Sequence, residues 1–250
     1  MLRSIDPLAT SPGGGPIGSK RAGVSVAWAR PDGGWGAVLW DLDGTLADTV
    51  PLILASYRHA VTQLRGGWDE AGQDAWREYI GRPLRDAVRD FGQDELESQA
   101  LLEAYVAFQN EAHDRMVTPF PGVHEIISAL DVGGMPLALV TSKGRRMALR
   151  TLEVCGFSEV FPVVVTADEV TRGKPDPEPV VLALDQLEEA DAGSTIFIGD
   201  SPHDIVAGRA AGVVTVGVTW GAFPVDVLRA SKPDHLVEDI QELGQILTDG

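Results

Sequence analysis

The residues of this chain that could do chemistry begin with two aspartates, Asp41 and Asp43, at the end of the apolar run AVLW. One residue separates them, so on an extended chain both side chains point the same way. Two carboxylates held that close repel each other unless a positive group lies beside them. The pattern therefore predicts either a bound cation or a solvated surface, and the rest of the chain must decide between the two.

Three further polar residues lie where later apolar runs end. Thr141 ends the run LALVT, Lys174 lies in the loop after a third run, and Asp200 follows TIFIG. In open α/β sheets, ligands bind at the carboxyl ends of the strands. We therefore expect these three residues to join the aspartate pair in one crevice.

The expected crevice suits a magnesium ion and a phosphate group. Mg²⁺ takes a few carboxylates and shares its remaining positions with water and phosphate oxygens, which Asp41, Asp43 and Asp200 would permit. Thr141 is followed by Ser142-Lys143-Gly144 at the expected start of a helix, where backbone N–H groups favour an anion. A lysine at position 174 would balance the carboxylates and the phosphate together. Asp176 and Pro177 are expected to be the N-cap and first residue of the helix that follows it.

The elements that must position these residues are short apolar runs separated by helical patterns. Strands are predicted at Ala37–Trp40, Leu137–Thr141, Val163–Thr166, Thr195–Gly199 and Val213–Val218. Helical spacing is found around 122–131, 145–154, 177–187, 203–211 and 239–247. This alternation predicts the α/β class, with a doubly wound parallel sheet.

A long helical interruption separates the first two predicted strands. We expect a flexible tail over 1–34, a core formed by 35–50 and 119–250, and a helical module inserted over 51–118. The tail is rich in glycine and proline and has no periodic apolar pattern. The inserted segment has apolar residues at helical spacing and is too long for a single crossover helix.

Composition narrows the possible partners. The chain has 250 residues and a formal net charge of −17, which argues against nucleic acid or an anionic membrane as a partner. No apolar run is long enough to suggest a membrane span. The single cysteine, Cys155, excludes an intramolecular disulfide and favours a cytoplasmic location. Because no histidine is near it in sequence, we expect Cys155 to be a core residue.

Four motifs in order, DLDGT, VTSK, GKPDPEP and IGDSPHD, resemble those of the haloacid dehalogenase (HAD) superfamily in its phosphatase branch. The resemblance extends from Ala37 to about Leu247. It implies a Rossmann-like core with an inserted α-helical cap, and an Mg²⁺-dependent phosphohydrolase that works through an aspartyl-phosphate.

The resemblance also implies a role for each motif residue. Asp41 would be the nucleophile, and Asp43 would be the acid and base, with its backbone carbonyl on Mg²⁺. Thr141 and Lys174 would hold the phosphoryl oxygens and the nucleophile, while Asp200 would bind the metal with support from Asp204. Substrate contacts are expected from Gly44, Thr45, Ser142, Lys143 and, in the cap, Arg82.

Several of these residues have a structural alternative. Ser201 and Asp204 also match a capping box, and we give that reading and metal support equal weight. Ser142 would equally serve as a helix cap. His203, in the first turn of a helix, is expected at the surface.

In the cap, the stretch Tyr79–Val88 is expected to be a loop that reaches over the site. Arg82 either contacts the leaving group or is a solvated surface residue. Arg85 and Arg89 are expected at the surface, and the tryptophans Trp68 and Trp76 in the core of the cap.

The presence of Asp43 and the absence of a lysine in residues 50–121 reduce the number of possible reaction types. Dehalogenases of this superfamily lack the second acid, which is Asp43 here, and phosphonate-cleaving relatives use a cap lysine, which residues 50–121 do not contain. The stretches FQNEAHDRMV, VVTADEVTRGKPDPEP and KPDHLVEDIQEL resemble phosphoglycolate phosphatases and bacterial pyrophosphatases of this fold.

We therefore expect hydrolysis of a small phosphate monoester such as 2-phosphoglycolate, with inorganic pyrophosphate as the alternative substrate. A sugar-phosphate mutase ranks third. A non-catalytic binding protein is disfavoured because every motif residue is present. The expected partner is a small phosphorylated metabolite or pyrophosphate, and the expected assembly a monomer or a homodimer.

Overall fold

The fold is described by a computed structural model that covers residues 34–67, 70–187 and 190–249. Residues 1–33 of the expected tail, and Trp68, lie outside this range. The strands are β1 (Ala37–Trp40), β2 (Ala47–Asp48), β3 (Thr118–Pro119), β4 (Leu137–Val140), β5 (Val163–Val165), β6 (Thr195–Gly199), β7 (Val214–Val218) and β8 (His235–Val237). The helices are α1 (Val50–Arg65), α2 (Glu70–Arg77), α3 (Leu84–Phe91), α4 (Glu95–Met116), α5 (Val123–Val132), α6 (Arg145–Val154), α7 (Glu178–Gln186), α8 (Pro202–Ala211), α9 (Val225–Ser231) and α10 (Ile240–Asp249).

Six strands form a parallel sheet in the order β5-β4-β1-β6-β7-β8. The chain builds outward from β1 through β4 to β5, then returns to the other side of β1 and continues through β6 to β8. Such a reversal creates a crevice at the carboxyl ends of the central strands. Every residue of β1, β4 and β6 is buried, as expected for strands covered by helices on both faces. The predicted α/β class and parallel sheet are confirmed.

Two short elements near the C-terminus were not predicted. The three residues of β8 include an exposed His235 and a half-buried Leu236, so no apolar run marks the strand. Helix α9 has only seven residues, which is too short for a helical period to stand out.

The expected start of α7 is wrong by one residue. Pro177 is the N-cap and the helix begins at Glu178, although the Asp176 carboxylate still accepts the Glu178 N–H at 3.0 Å. Pro177 has no N–H to donate, so the carboxylate bonds to the next available donor.

Helices α1 to α4 form a helical module between β2 and β3. These two strands pair antiparallel, with Ala47 opposite Pro119 and Asp48 opposite Thr118, so the module leaves and rejoins the core at one place. The module has its own apolar cluster. At its centre Trp76, which is 2% exposed, stacks on Tyr57 with ring centroids 4.3 Å apart. Trp76 is therefore a core residue of the module, as expected.

The expectation of a loop over Tyr79–Val88 is only partly correct. The chain is irregular up to Pro83, and then α3 begins at Leu84. Leu84, Ala87, Val88 and Phe91 have helical spacing and face the module's apolar cluster, which explains the helix.

The C-terminal half of α4 is fastened to α6 of the core. The Arg150 guanidinium donates to the Asn110 carbonyl at 3.0 Å and contacts the Asp114 carboxylate at 2.8 Å. Fully buried His113 bridges the same helices, with its ring nitrogens 2.8 Å from Asp114 Oδ1 and from Thr151 Oγ1. These contacts fix the position of α4 against α6.

Candidate active site

The centre of the site is a buried lysine between two carboxylates. Lys174 Nζ donates to Asp41 Oδ1 at 2.6 Å, to Asp204 Oδ1 at 2.5 Å and to the Val140 carbonyl at 3.1 Å. The Lys174 side chain is 0% exposed. Asp41 follows the last residue of β1 and Val140 ends the neighbouring strand β4, while Asp204 lies in the first turn of α8.

Burial and the neighbouring charges have opposite effects on the pKa values of Asp41 and Lys174. Burial raises the pKa of Asp41 to about 7 against the lowering effect of Lys174. Burial would lower the pKa of Lys174, but Asp204 and Asp41 raise it above its usual value, so the lysine is charged. One cation therefore serves at least two buried acids.

Asp200, after β6, adds a third buried carboxylate. Its Oδ2 accepts the Ala222 N–H at 2.5 Å, while Oδ1 is buried without a hydrogen-bond partner among the described residues. Burial, together with the charges of Asp41 and Asp204, raises the pKa of Asp200 well above its usual value. The backbone packs tightly here: a Cβ at Gly44, where φ is +83°, would overlap the Asp200 carboxyl group.

Asp41, Asp200 and Asp204 each place a carboxylate oxygen within 4.8 Å of the others. A buried carboxylate oxygen without a partner is costly unless a proton or a cation compensates it. The hard oxygen donors and the spare atom of Asp200 fit Mg²⁺.

Both oxygens of Asp204 already have protein partners. Oδ1 accepts from Lys174, and Oδ2 accepts from the Ser201 hydroxyl at 2.6 Å and the Ser201 N–H at 3.1 Å. Ser201 in turn caps α8, so the capping box is present. Asp204 is thus placed to orient Lys174 as well as to add negative charge.

Asp43 is not part of this carboxylate cluster and pairs with a different lysine. Lys143 Nζ lies 2.6 and 2.8 Å from its two carboxylate oxygens, and the Thr49 hydroxyl donates to Oδ1 at 2.6 Å. The sequence assigned Lys143 to the substrate, but in this structure it pairs with the expected acid. Thr49 was missed, although it lies six residues after Asp43, just before α1.

The other expected phosphate-site residues lie around the same crevice. Thr141 is buried, and its Oγ1 accepts the Lys143 N–H at 3.2 Å. The Thr45 hydroxyl lies 3.4 Å from Asp41 Oδ2.

The helix-cap alternative for Ser142 is wrong. Helix α6 begins at Arg145 with Gly144 as its N-cap, and the Arg145 N–H donates to Asp168 instead. The Ser142 hydroxyl donates a hydrogen bond of 2.7 Å to the carbonyl of Gly81, which belongs to the helical module. Gly81 itself has φ +91°, and a Cβ there would overlap the Ser201 hydroxyl, so the module approaches the core closely at this point.

A cavity of about 370 Å³ lies between the core and the module, with Asp41 and Asp43 in its lining. This size falls in the range of about 300–1,000 Å³ typical of small-molecule sites. Arg82 also lines it, with its guanidinium 3.7 Å from Asp86 and 4.8 Å from the centre of the Tyr79 ring. Its side chain is 28% exposed, so it is neither fully solvated nor tightly held.

Arg85, Arg89 and His203 were expected at the surface, and only His203 differs. Arg89 is exposed as expected, and so is Arg85, but Arg85 also lines the cavity and reaches the Ala167 carbonyl at 3.5 Å. His203 is half-buried, with Nε2 3.0 Å from the Glu78 carbonyl of the module. The sequence gives no signal for either contact because both partners are backbone carbonyls of distant segments.

The sequence analysis missed Tyr105 and Gln109 of α4, which line the same cavity. Their apolar neighbours indicated a helix but not what its faces contact. Cys155 is buried, and burial raises the pKa of its thiol to about 11, consistent with the expected core role.

Residues 38–218 match the family model described as haloacid dehalogenase-like hydrolase. The chain therefore belongs to the haloacid dehalogenase-like hydrolases, the superfamily that its four motifs resemble, and is a hydrolase of the phosphatase type. The Pyrophosphatase PpaX of Bacillus velezensis is 37% identical over 207 residues, which cover 83% of this chain and 94% of that relative. The Pyrophosphatase PpaX of Oceanobacillus iheyensis is 34% identical over 212 residues, which cover 85% and 96% of the two chains.

Solved structures share the fold. A hydrolase from Pseudomonas syringae superposes with a TM-score of 0.76 at 23% identity, over 85% of this chain and 98% of the other. A protein from Haemophilus somnus 129pt, titled "a predicted phosphoglycolate phosphatase", gives a TM-score of 0.74 at 24% identity, over 85% and 97% of the chains. At these identities the likeness concerns the architecture. Within the described residues, no helix is both long enough and apolar enough to cross a membrane.

Proposed function

We propose that this enzyme is an Mg²⁺-dependent phosphohydrolase that forms an aspartyl-phosphate on Asp41. One observation carries the proposal. A buried lysine holds Asp41 beside Asp204, while the neighbouring Asp200 keeps one buried oxygen without a partner. This arrangement leaves Asp41 oriented and supplies an oxygen-rich site for a cation.

The chain's own residues supply nucleophile, acid and base. A carboxylate oxygen of Asp41 attacks phosphorus, and the bond from phosphorus to the leaving oxygen breaks. Asp43 gives its proton to that oxygen and, in the second step, takes a proton from water. The water oxygen attacks phosphorus, the bond to Asp41 breaks, and inorganic phosphate leaves. Lys143 must release Asp43 before Asp43 can carry a proton. In this mechanism the Lys143 ammonium then binds an oxygen of the bound phosphate.

The Asp41 and Asp200 carboxylates and the Asp43 backbone carbonyl would hold the metal, with Asp204 in support. When bound, Mg²⁺ would neutralise negative charge on the phosphoryl group and the nucleophile. Thr141 and Lys174 bind phosphoryl oxygens, and Gly44, Thr45 and Ser142 complete the cradle. The helical module acts as the cap that excludes water from the cavity.

The proposed substrate is a small phosphate monoester such as 2-phosphoglycolate, because the leaving-group side of the cavity is enclosed by the module. Inorganic pyrophosphate is the second candidate, which the names of the two PpaX relatives favour. We place the enzyme in the cytoplasm as a monomer or homodimer. A phosphorylated metabolite or pyrophosphate is its partner.

Chelation is expected to abolish hydrolysis. Without a cation, Asp41, Asp200 and Asp204 would repel an approaching phosphate dianion. Phosphate release from 2-phosphoglycolate and from pyrophosphate should fall to background in EDTA and return when Mg²⁺ is added in excess. Ca²⁺ should restore little activity, since it favours larger and looser coordination than Mg²⁺. Full turnover in EDTA would remove the metal from the proposal.

Arg82→Ala tests whether Arg82 of the cap binds a negative charge on the leaving group. The variant should lower kcat/KM for 2-phosphoglycolate by roughly tenfold or more, because an interaction with a charged partner is worth about 1.5–3 kcal/mol. It should change kcat/KM for p-nitrophenyl phosphate much less, since the aryl group offers no anion. Arg89→Ala, on the exposed side of α3, is the matched control. An unchanged ratio between the two substrates would make Arg82 a surface residue.

A further inference from the structure

The cap and the core lie very close to each other along segment 78–83, which joins α2 to α3. On the cap side, a Cβ at Gly81 would lie 2.6 Å from the Ser201 hydroxyl oxygen. On the core side, a Cβ at Gly173 would lie 2.5 Å from Cγ of Pro83. Ser201 and Gly173 each adjoin a residue of the buried cluster of carboxylates and lysine, so the cap segment lies directly beside the candidate catalytic residues.

Two side chains of the core donate hydrogen bonds to backbone carbonyls of this segment. His203, in the first turn of α8, has its Nε2 3.0 Å from the Glu78 carbonyl oxygen. Because a carbonyl oxygen can only accept, Nε2 carries the hydrogen of this bond. The Ser142 hydroxyl donates to the Gly81 carbonyl at 2.7 Å. Both acceptors are backbone atoms, so these bonds fix where the segment lies and do not depend on its side chains.

The His203 ring is held between the core and the cap. Phe223 meets it edge to face, with ring centroids 6.1 Å apart and ring planes at 84°. Phe223 also packs into the apolar cluster of the module, although it belongs to the core. This packing leaves His203 half-buried and directs its Nε2 toward Glu78.

The position of segment 78–83 determines the shape of the cavity, because Ile80 and Arg82 of this segment line it. Among the described residues, His203 does not line the cavity, so it acts on the segment and not on a bound molecule. Under the proposed function the cap excludes water from the substrate. The segment must therefore leave the core when substrate enters and when product leaves.

We infer that His203 is a positioning residue, and that its hydrogen bond to the Glu78 carbonyl holds segment 78–83 in the closed position of the cap. The bond forms in the closed enzyme and breaks each time the cap opens. This inference rests on the proposed function for its kinetic consequence. The position of the segment can be tested without any substrate.

Removal of this bond should weaken apparent substrate binding and leave the chemical step intact. A bond made only in the closed enzyme adds to the fraction of enzyme that is competent to bind, and a smaller fraction raises KM. Once the substrate is bound and the cap is closed, the catalytic residues of the core are unchanged, so kcat should stay the same.

The test uses the full chain and four substitutions. His203→Phe keeps a ring beside Phe223 and loses the donor, whereas His203→Gln places an amide N–H where Nε2 lies. His203→Asn keeps an amide that is too short to reach Glu78, and it replaces His203→Phe if thermal unfolding shows that the phenylalanine variant does not fold. His235→Phe, at an exposed position of β8, is the matched control.

Hydrogen–deuterium exchange without substrate measures the position of the segment. Exchange of peptides that cover 78–85 should be several-fold faster in His203→Phe and His203→Asn than in the wild type, His203→Gln and His235→Phe. Peptides from α10, on the far side of the core, should exchange equally in all of them. Unchanged exchange over 78–85, or equally faster exchange in α10, would overturn the inference.

Steady-state kinetics with Mg²⁺ use whichever of 2-phosphoglycolate and pyrophosphate the wild type hydrolyses faster. His203→Phe should raise KM by about fivefold, the effect of one neutral hydrogen bond, with kcat within twofold of the wild type. His203→Gln should restore KM to within twofold. A loss of kcat at unchanged KM, or equal defects in the two variants, would overturn the inference. If exchange changed as expected but the wild type hydrolysed neither substrate, the proposed function alone would fail.

Discussion

Replacing Asp41 with asparagine is expected to reduce hydrolysis by roughly three orders of magnitude or more, because loss of a nucleophile removes the step on which the other groups act. The amide nearly matches the carboxylate in shape but offers no anionic oxygen to phosphorus. Steady-state phosphate release from 2-phosphoglycolate measures the loss. Intact-protein mass spectrometry after rapid acid quenching should detect a phosphorylated species in the wild type and none in the variant.

The fold should survive this change. Lys174 keeps Asp204 as a partner, and one of three crowded carboxylates loses its charge. Asp74→Asn on the exposed surface of α2 is the control and should retain full activity. Substantial turnover by Asp41→Asn, at a level that a trace of wild-type enzyme does not explain, would contradict covalent catalysis by this residue.

Lys174→Met should damage both activity and stability. The methionine keeps much of the lysine's length but leaves Asp41 and Asp204 buried without their cation. Removing one member of a buried ion pair typically costs about 3–5 kcal/mol, and we expect a loss in that range in the free energy of unfolding. Urea unfolding in EDTA measures it.

Two companion measurements separate charge from packing. Lys232→Met at the surface should change the unfolding free energy little. Adding Asp41→Asn to Lys174→Met should recover part of the lost stability, because one uncompensated charge is removed. If the double variant were as unstable as the sum of its parts, the lysine would act through packing and not through its charge.

The sheet and the crevice could be predicted because each depends on a local pattern. Strands β1 and β4 are apolar throughout and β6 is apolar after Thr195, as full burial on both faces favours, and Asp41, Thr141 and Asp200 directly follow them. Parallel pairing then brings those residues to one edge without further information.

Contacts between side chains that are distant in the sequence could not be predicted in the same way. The pairing of Lys143 with Asp43 joins side chains a hundred residues apart, and it depends on a side-chain conformation. The apolar residues of α4 predict a helix, but they do not reveal that Gln109 faces a cavity. That fact depends on how α4 packs against α6, which is set by the contacts of Arg150 and His113.

The short pairing of β2 with β3 has a consequence for how such a protein can diversify. Because the chain leaves and rejoins the core at adjacent residues, Asp48 and Thr118, the strand order of the sheet does not depend on what lies between them. Insertions, deletions or wholesale replacement of the intervening helices would leave the reacting carboxylates in register. The inserted helices can therefore change which substrate is recognised without changing the catalytic residues of the core.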